Sequence, residues 1–402
     1  MKLGTFRIEL ESLSPILITA VEGYRGFLYR SLRYYIPGTV VQGSIFTAAI
    51  NEGLVNTNEV LGIVNKELVS TTPALVTIDF SYKYLRDVGI AHALCLKPKI
   101  KSKKVEKGEI FSIDVGKIIN ELIVNPMDFQ GSVKRVLSTE VANMVRTLEV
   151  PVDLEDCSGK ATLRKNGKWF LTESVNEIRV LPKTYVSIAV KDWGGTVPGA
   201  LYAYEYIERG VKFMAYTSCI KNSRTYNILK QLESIGNINL RVGKATSRGL
   251  GMVRAKITEY PIENLIHEIG VNEISIGDRI IVLESLSLAS ILDPLPRPIN
   301  VGDEISDRLG LGLRLKVIGV LESKYGTREY RGWSIATNTP KITVKGLPSG
   351  SLIFTKVIKL PSSPNNLHNA LISLLLLGIE PHIHGFNIMY PFKKDPYHLD
   401  VR

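Results

Sequence analysis

Three cysteines in 402 residues, Cys95, Cys157 and Cys219, are too few and too scattered for a disulfide framework. None stands beside a histidine at the spacing of a zinc knuckle. There is no apolar run of membrane-spanning length either; the greasiest, Ala370 to Ile379, is short and ends at Gly378-Ile-Glu-Pro. The opening residues Met1-Lys-Leu-Gly-Thr-Phe-Arg-Ile-Glu read as a strand and not as a secretory leader, so a soluble cytoplasmic protein without a membrane partner is expected. Glutamine occurs only at 42, 130 and 231 against plentiful Ile, Lys and Glu, a composition that points to a heat-adapted source (a thermophile). Carboxylates cluster best at Asp303, Glu304 and Asp307, which read as an acidic loop and not as a metal-dependent cutting centre. No metal and no other cofactor is expected.

What is present is an ordinary folded composition, 45% hydrophobic and 22% charged, with an unusual balance of sign. A net charge of +11 and a sequence pI near 9.3 are the electrostatic footprint of a polyanionic partner. The length favours two or more domains.

The most telling stretch is Gly243-Lys-Ala-Thr-Ser-Arg-Gly-Leu-Gly251. With Lys244, Arg248 and Arg254, it puts three glycines and three cations into twelve residues. Glycine admits positive φ and close backbone approach. Successive free amides in such a turn form an anion-binding concavity, to which Lys and Arg add charge. The same residues also fit a glycine-rich hairpin with solvated cations.

Along the chain, Phe6 to Leu13 alternates apolar and charged residues, the period of a half-buried strand. Pro37-Gly38 makes a turn, Thr39 is placed as N-cap, and Val40, Ile45, Ala48 and Ala49 form the core face of a helix. Gly43 leaves room for a ligand or for simple helix packing. From Lys97 to Lys107 the chain is rich in lysine; Lys99, Lys101 and Lys103 would line one face of a ribbon, with Lys104 beside them. That pattern suits a nucleic-acid clamp or a solvated edge. Asp114 to Val150 holds one or two amphipathic helices, with Lys134, Arg135 and Arg146 solvated. Ala161 to Leu171 is a hairpin turning at Asn166-Gly167. Residues 184–207 give two strands, and Asn222 to Ile235 a helix with Ile228, Leu229, Leu232 and Ile235 on one stripe before Gly236. The acidic segment Glu259 to Ile276 contains the boundary between domains 1–262 and 273–402. Strands follow at Arg279–Leu286 and Leu313–Leu321, with a stiff loop at Pro294, Pro296 and Pro298. Arg328 and Arg331 interleave with Tyr325, Tyr330 and Trp333, as in surfaces that stack on bases. Gly210-x-x-Phe, strand, helix, Gly236 recurs as Gly350-Ser-Leu-Ile-Phe, strand, helix, Gly378. A duplicated α+β module of the ferredoxin-like type accounts for this economically.

Taken in order, Ile36-Pro-Gly-Thr-Val-Val-Gln-Gly43 before a helix, Gly243 to Gly251 before a strand, and the repeated module resemble the RAMP superfamily of CRISPR RNA-binding proteins. Ser187 to Tyr206 with Gly210-x-x-Phe213, and Gly332-Trp-Ser-Ile with Ser349 to Phe354, look like the large two-domain RAMP subunit of type III-D effector complexes. The resemblance touches both halves of the chain. It implies an α+β fold of two ferredoxin-like (RRM-like) modules with inserted hairpins, the second degenerate. It further implies a non-catalytic subunit of an antiviral ribonucleoprotein complex. Such a subunit binds the 5′ repeat-derived tag of CRISPR RNA beside the polymerase-like large subunit and the backbone RAMP subunits. The glycine-loop residues carry over onto Gly243, Gly249 and Gly251, with Lys244, Arg248 and Arg254 for phosphate. Gln42, Gly43 and Ser44 form a second RNA-facing edge. The segment Gly378 to Phe386 lacks the glycine triplet, which departs from the pattern.

Some RAMP proteins are metal-independent endoribonucleases that need a general acid and base around a 2′-OH. His382 and His384, at i and i+2 with Tyr390 nearby, are the residues for that alternative; a backbone position along the guide is another.

Overall fold

The computed structural model describes residues 2–18, 28–30, 35–99, 105–148, 154–175, 183–190, 196–325, 328–330, 333–334, 339–340, 343–379, 386–393 and 397. Helix and strand are mixed, 29% and 35%, as an α+β chain requires. Among the described residues no helix is long and apolar enough to cross a membrane.

The first sheet is built on β1 (Leu3–Ser12), whose alternation buries Phe6, Ile8 and Leu10 and leaves Arg7, Glu9 and Glu11 half-exposed. After it come α1 (Gly38–Asn51), β2 (Ala74–Thr77), β3 (Lys212–Ile220), α2 (Arg224–Ile235), β4 (Asn237–Arg241) and β5 (Met252–Glu259). The strands lie side by side in the order β4, β5, β1, β3, β2. α1 starts two residues earlier than the sequence suggests. The Pro37 carbonyl accepts from the Val40 and Val41 amides, so Thr39 falls inside the first turn and Val41 takes the core place expected of Val40. α2 is capped by Ser223, whose hydroxyl accepts from the Tyr226 amide, and ends at Gly236. Its buried stripe is Ile228, Leu229 and Leu232, each contributing about 2 kcal/mol. Ile235 instead remains 45% exposed, because the chain turns at Gly236 before a neighbour can cover it.

A long insertion separates β2 from β3. It contains the sheet Val88–Ile90, Ala161–Lys165 and Lys168–Leu171, a second small sheet, the helices Val115–Val124 and Phe129–Leu148, and the ribbon Lys183–Val190 with Thr196–Tyr206. Asn166 and Gly167 both take positive φ, 51° and 81°, as the two-residue hairpin requires.

The second sheet holds β6 (Ile280–Ser285), β7 (Arg314–Leu321), β8 (Leu352–Lys359) and β9 (Met389–Phe392), with α3 (Pro364–Leu376) before β9. Its order, β9, β6, β8, β7, repeats the last–first–third–second arrangement of β5, β1, β3, β2. The helix that α1 supplies in the first sheet has no counterpart between β6 and β7. The strand pair Ser290–Leu292 and Pro296–Pro298 stands there. Pro296 and Pro298 are therefore part of a paired edge and not a loop, a position where a missing N–H is tolerated. The expected boundary is also more ordered than its composition suggests. It forms the helix Ile262–Glu268 and a short 3-10 turn, burying Leu265, Ile266, Ile269, Val271 and Ile274. One continuous hydrophobic core joins both sheets. The three cysteines are buried and unbridged, and burial pushes the Cys219 thiol up to about 12.

Candidate nucleic-acid interface

The glycine stretch is the tip of the β4–β5 hairpin, closed by the Val242 amide donating to the Gly251 carbonyl at 2.8 Å. Gly243 (φ 84°) and Gly251 (φ 75°) let the tip lie against neighbouring backbone. A Cβ on Gly243 would stand 2.3 Å from the Leu17 carbonyl oxygen, and one on Gly251 2.1 Å from that of Val242. The Lys244 amide donates to Leu17 O and the Gly251 amide to Pro15 O, both at 2.8 Å. The amides of Arg248, Gly249 and Leu250 turn back onto Ala245 and Thr246. This corrects the expected concavity of free amides: two of those N–H groups hold the loop to the segment after β1, and three more are taken up inside the loop itself. Among the described residues, the amides of Gly243, Ala245, Thr246 and Ser247 make no bond to the loop or to the 15–17 segment. What the loop does offer is side-chain charge. Lys244 and Arg248 are exposed, and the space above Gly249 is open.

The outer face of the hairpin extends that charge. Alternation buries Ile238, Leu240, Val253, Ala255 and Ile257, which turns Asn237, Asn239, Arg241, Met252, Arg254 and Lys256 outward. Arg254 stands opposite Glu11 and pairs with it at 3.5 Å, and Lys256 stands opposite Glu9. Arg241 and Lys256 escaped the sequence reading, although the i, i+2 spacing of Arg254 and Lys256 places both on one strand face.

The second expected RNA-facing edge is different. Gln42 and Ser44 are only 5% and 6% exposed, and the Ser44 hydroxyl donates to Val40 O and to Arg241 O (2.7 Å), tying α1 to the end of β4. A helix that begins at Gly38 turns these two residues inward. Neither offers surface to a strand of RNA, whereas Gly43 is exposed with open space above it.

Lys99 is exposed at the end of the strand Cys95–Pro98, where Lys97 pairs with Glu155 at 3.3 Å. Lys101, Lys103 and Lys104 lie outside the described residues, as do His382, His384, Arg331 and the Trp333 side chain. Arg328 is held by Glu322 at 3.0 Å, and Tyr330 packs edge-on against Phe386. Tyr390, expected beside the histidines, is buried and donates to Ile269 O at 3.0 Å. Among the described residues no group of His, Cys, Asp and Glu could hold a metal ion.

The acidic loop is structural. Asp303 takes both terminal nitrogens of Arg297 at 2.9 Å and the Asn300 amide at 2.7 Å. The Arg297 guanidinium holds its carboxyl below the usual range. A lowered folded-state value means that this stabilisation is complete above the unfolded value of about 3.9 and is lost as pH falls from there through the lower folded value. Asp303→Asn is therefore expected to melt below the parent at neutral pH. That gap should narrow as the melts are repeated from about pH 5 downward past the unfolded value of about 3.9; a gap constant across that range would refute the assignment.

No known family's sequence profile matches the chain. No curated protein matches it either. Among solved structures, the chain is similar to one of type III-B Cmr-beta bound to cognate target RNA and AMPPnP, 12% identical over 87% of this chain and 86% of that one, with a TM-score of 0.42. It is similar to the Csm3–Csm4 subcomplex of the type III-A CRISPR-Cas interference complex, 15% identical over 89% and 100%, with a TM-score of 0.35. Oligomeric Cmr4 from Pyrococcus furiosus is 11% identical over 64% and 98%, with a TM-score of 0.29.

Proposed function

We propose that this chain is a non-catalytic RNA-binding subunit of a type III CRISPR effector complex, built on two ferredoxin-like modules, that holds the 5′ tag of CRISPR RNA. The observation that carries the reading is the hairpin of β4 and β5. Arg241, Lys244, Arg248, Arg254 and Lys256 are all exposed there, on a tip fastened to the backbone that follows β1. A rigid, positively charged strand face with polar Asn237 and Asn239 between the cations suits a ribose-phosphate chain. The repeated strand order supports the two-module architecture, and the net charge of +11 supports a polyanionic partner.

The test is binding of a tagged CRISPR RNA fragment, read by fluorescence anisotropy across a salt series. Affinity should fall steeply with salt, and the tagged RNA should bind more tightly than the same RNA without its tag. Lys244→Ala with Arg248→Ala should reduce the slope of log K against log salt by about 1.4, the value for two lost single-strand phosphate contacts. The melting temperature should hold, because both side chains are exposed. Salt-independent binding, or a slope unchanged in the double variant, would overturn the reading.

A further inference from the structure

A second basic feature lies in the insertion, on elements that the hairpin of β4 and β5 does not include. A cleft of about 620 Å³ opens between the loop after β2 and the tip of the Ala161–Leu171 hairpin. Lys83, Arg86, Arg164 and Lys165 line it, against the single carboxylate of Asp87. Its walls are built and not incidental. The Arg164 amide donates to Asp87 O at 2.7 Å, which clamps the hairpin to the loop. The loop closes on itself through the Asp87 amide to Lys83 O at 2.9 Å and the Leu85 amide to Val88 O at 2.8 Å. The Lys83 amide donates to the Asp87 carboxylate at 2.9 Å, so the one acid is already engaged. Leu85, buried, is held at φ 60°, a conformation that costs about 1 kcal/mol for a non-glycine residue and persists because its surroundings fix it.

Among the described residues, Lys83, Arg86 and Arg164 have no carboxylate within ion-pair distance. Arg135 and Arg297, by contrast, each have two. Three cations left without a counter-ion around a concave surface repel one another, and an anion relieves that repulsion. Tyr82 is the one ring in its lining and no aliphatic side chain stands beside it, so a free nucleotide's base would find a single stacking face and no enclosing apolar slot. Its cations lie along two facing walls, as a strand of phosphates requires.

We propose that this cleft binds phosphate groups, supplied by the phosphodiester backbone of single-stranded RNA, through Lys83, Arg86 and Arg164. The naming of RNA rests on the functional reading above; the phosphate chemistry does not. A free nucleoside triphosphate is the other source of that chemistry.

The experiment uses the full chain, the parent against Lys83→Glu with Arg86→Glu, both exposed positions. One arm titrates a labelled single-stranded RNA across a salt series, the other titrates ATP by calorimetry. RNA affinity should fall about tenfold or more in the double variant at 0.1 M salt, with a salt slope smaller by about 1.4 and an unchanged melting temperature. RNA affinity and slope equal to the parent's would overturn the cleft, and would leave the functional reading intact if Lys244→Ala with Arg248→Ala still weakens binding. ATP bound by the parent and lost in the variant, with no RNA bound by either, would overturn RNA as the source together with the functional reading. A parent that binds neither ligand overturns the proposal outright. Should the charge reversal impair folding, Arg86→Gln alone is expected to lower the slope by about 0.7.

Discussion

Asp307→Ala is expected to destabilise the protein by about 3 kcal/mol, the larger part of it from one lost acceptor. Asp307 is nearly buried, and its two carboxylate oxygens accept from the amides of Leu311 at 2.8 Å, Gly312 at 3.0 Å and Leu313 at 2.9 Å. Hydrogen bonds to a charged acceptor contribute about 1.5 kcal/mol or more each, and orphaned buried donors cost a similar amount. The Leu313 amide is fully interior, while Leu311 and Gly312 are half-exposed and can recruit water, which brings the sum down to the figure given. The loop leads directly into β7, so the loss should show first as faster amide exchange in Arg314–Leu321. The urea midpoint should fall with an unchanged slope. Asp307→Asn keeps one acceptor oxygen and should lose about half as much. Equal stability of Asp307→Ala and the parent would mean that the turn is held by something else.

Gly159→Ala should do still more damage, and a control separates its two causes. Gly159 sits at φ 76°, and a Cβ there would lie 1.7 Å from the Tyr325 carbonyl oxygen. Backbone strain alone accounts for about 1 kcal/mol. The overlap adds a forced separation of the insertion from the 323–325 loop. That contact is held by the Lys324 amide donating to Ser158 Oγ at 2.9 Å and by the Lys160 ammonium 5.1 Å above the Tyr325 ring. A loss of at least about 3 kcal/mol follows, together with protease sensitivity in residues 154–175. Gly167→Ala, at φ 81° with open space around it, carries the strain without the overlap and should cost only about 1 kcal/mol. Similar losses in the two variants would show that the junction yields readily.

What could be read from the sequence was what depends on near neighbours in the chain. The alternation of β1, the stripe of α2 with its Ser223 and Gly236 ends, and the Asn166-Gly167 turn all hold in the structure. The repeat of strand, helix and positive-φ glycine also survives as two sheets of one strand order. The start of α1 was placed two residues late, because Pro37 and not Thr39 stands at its N-cap, while Ile45, Ala48 and Ala49 of the expected inner face are buried. The glycine loop was half legible. Its charge and its turn are local properties, but the acceptors that consume the Lys244 and Gly251 amides are carbonyls more than two hundred positions earlier. The cleft was not legible for the same reason: Lys83 and Arg86 meet Arg164 only through folding. Burial of Gln42 and Ser44 likewise depends on how α1 rolls against β4.

The shared interior has a consequence for how such a chain can change. Two copies of one unit that had kept separate cores could be exchanged, trimmed or permuted one at a time. Here the side chains of both sheets fill a single apolar volume, and Tyr35 near α1 reaches Ser349 beside β8. A substitution that reshapes one sheet must be matched in the other, so the two are mutually dependent and neither is a detachable cassette.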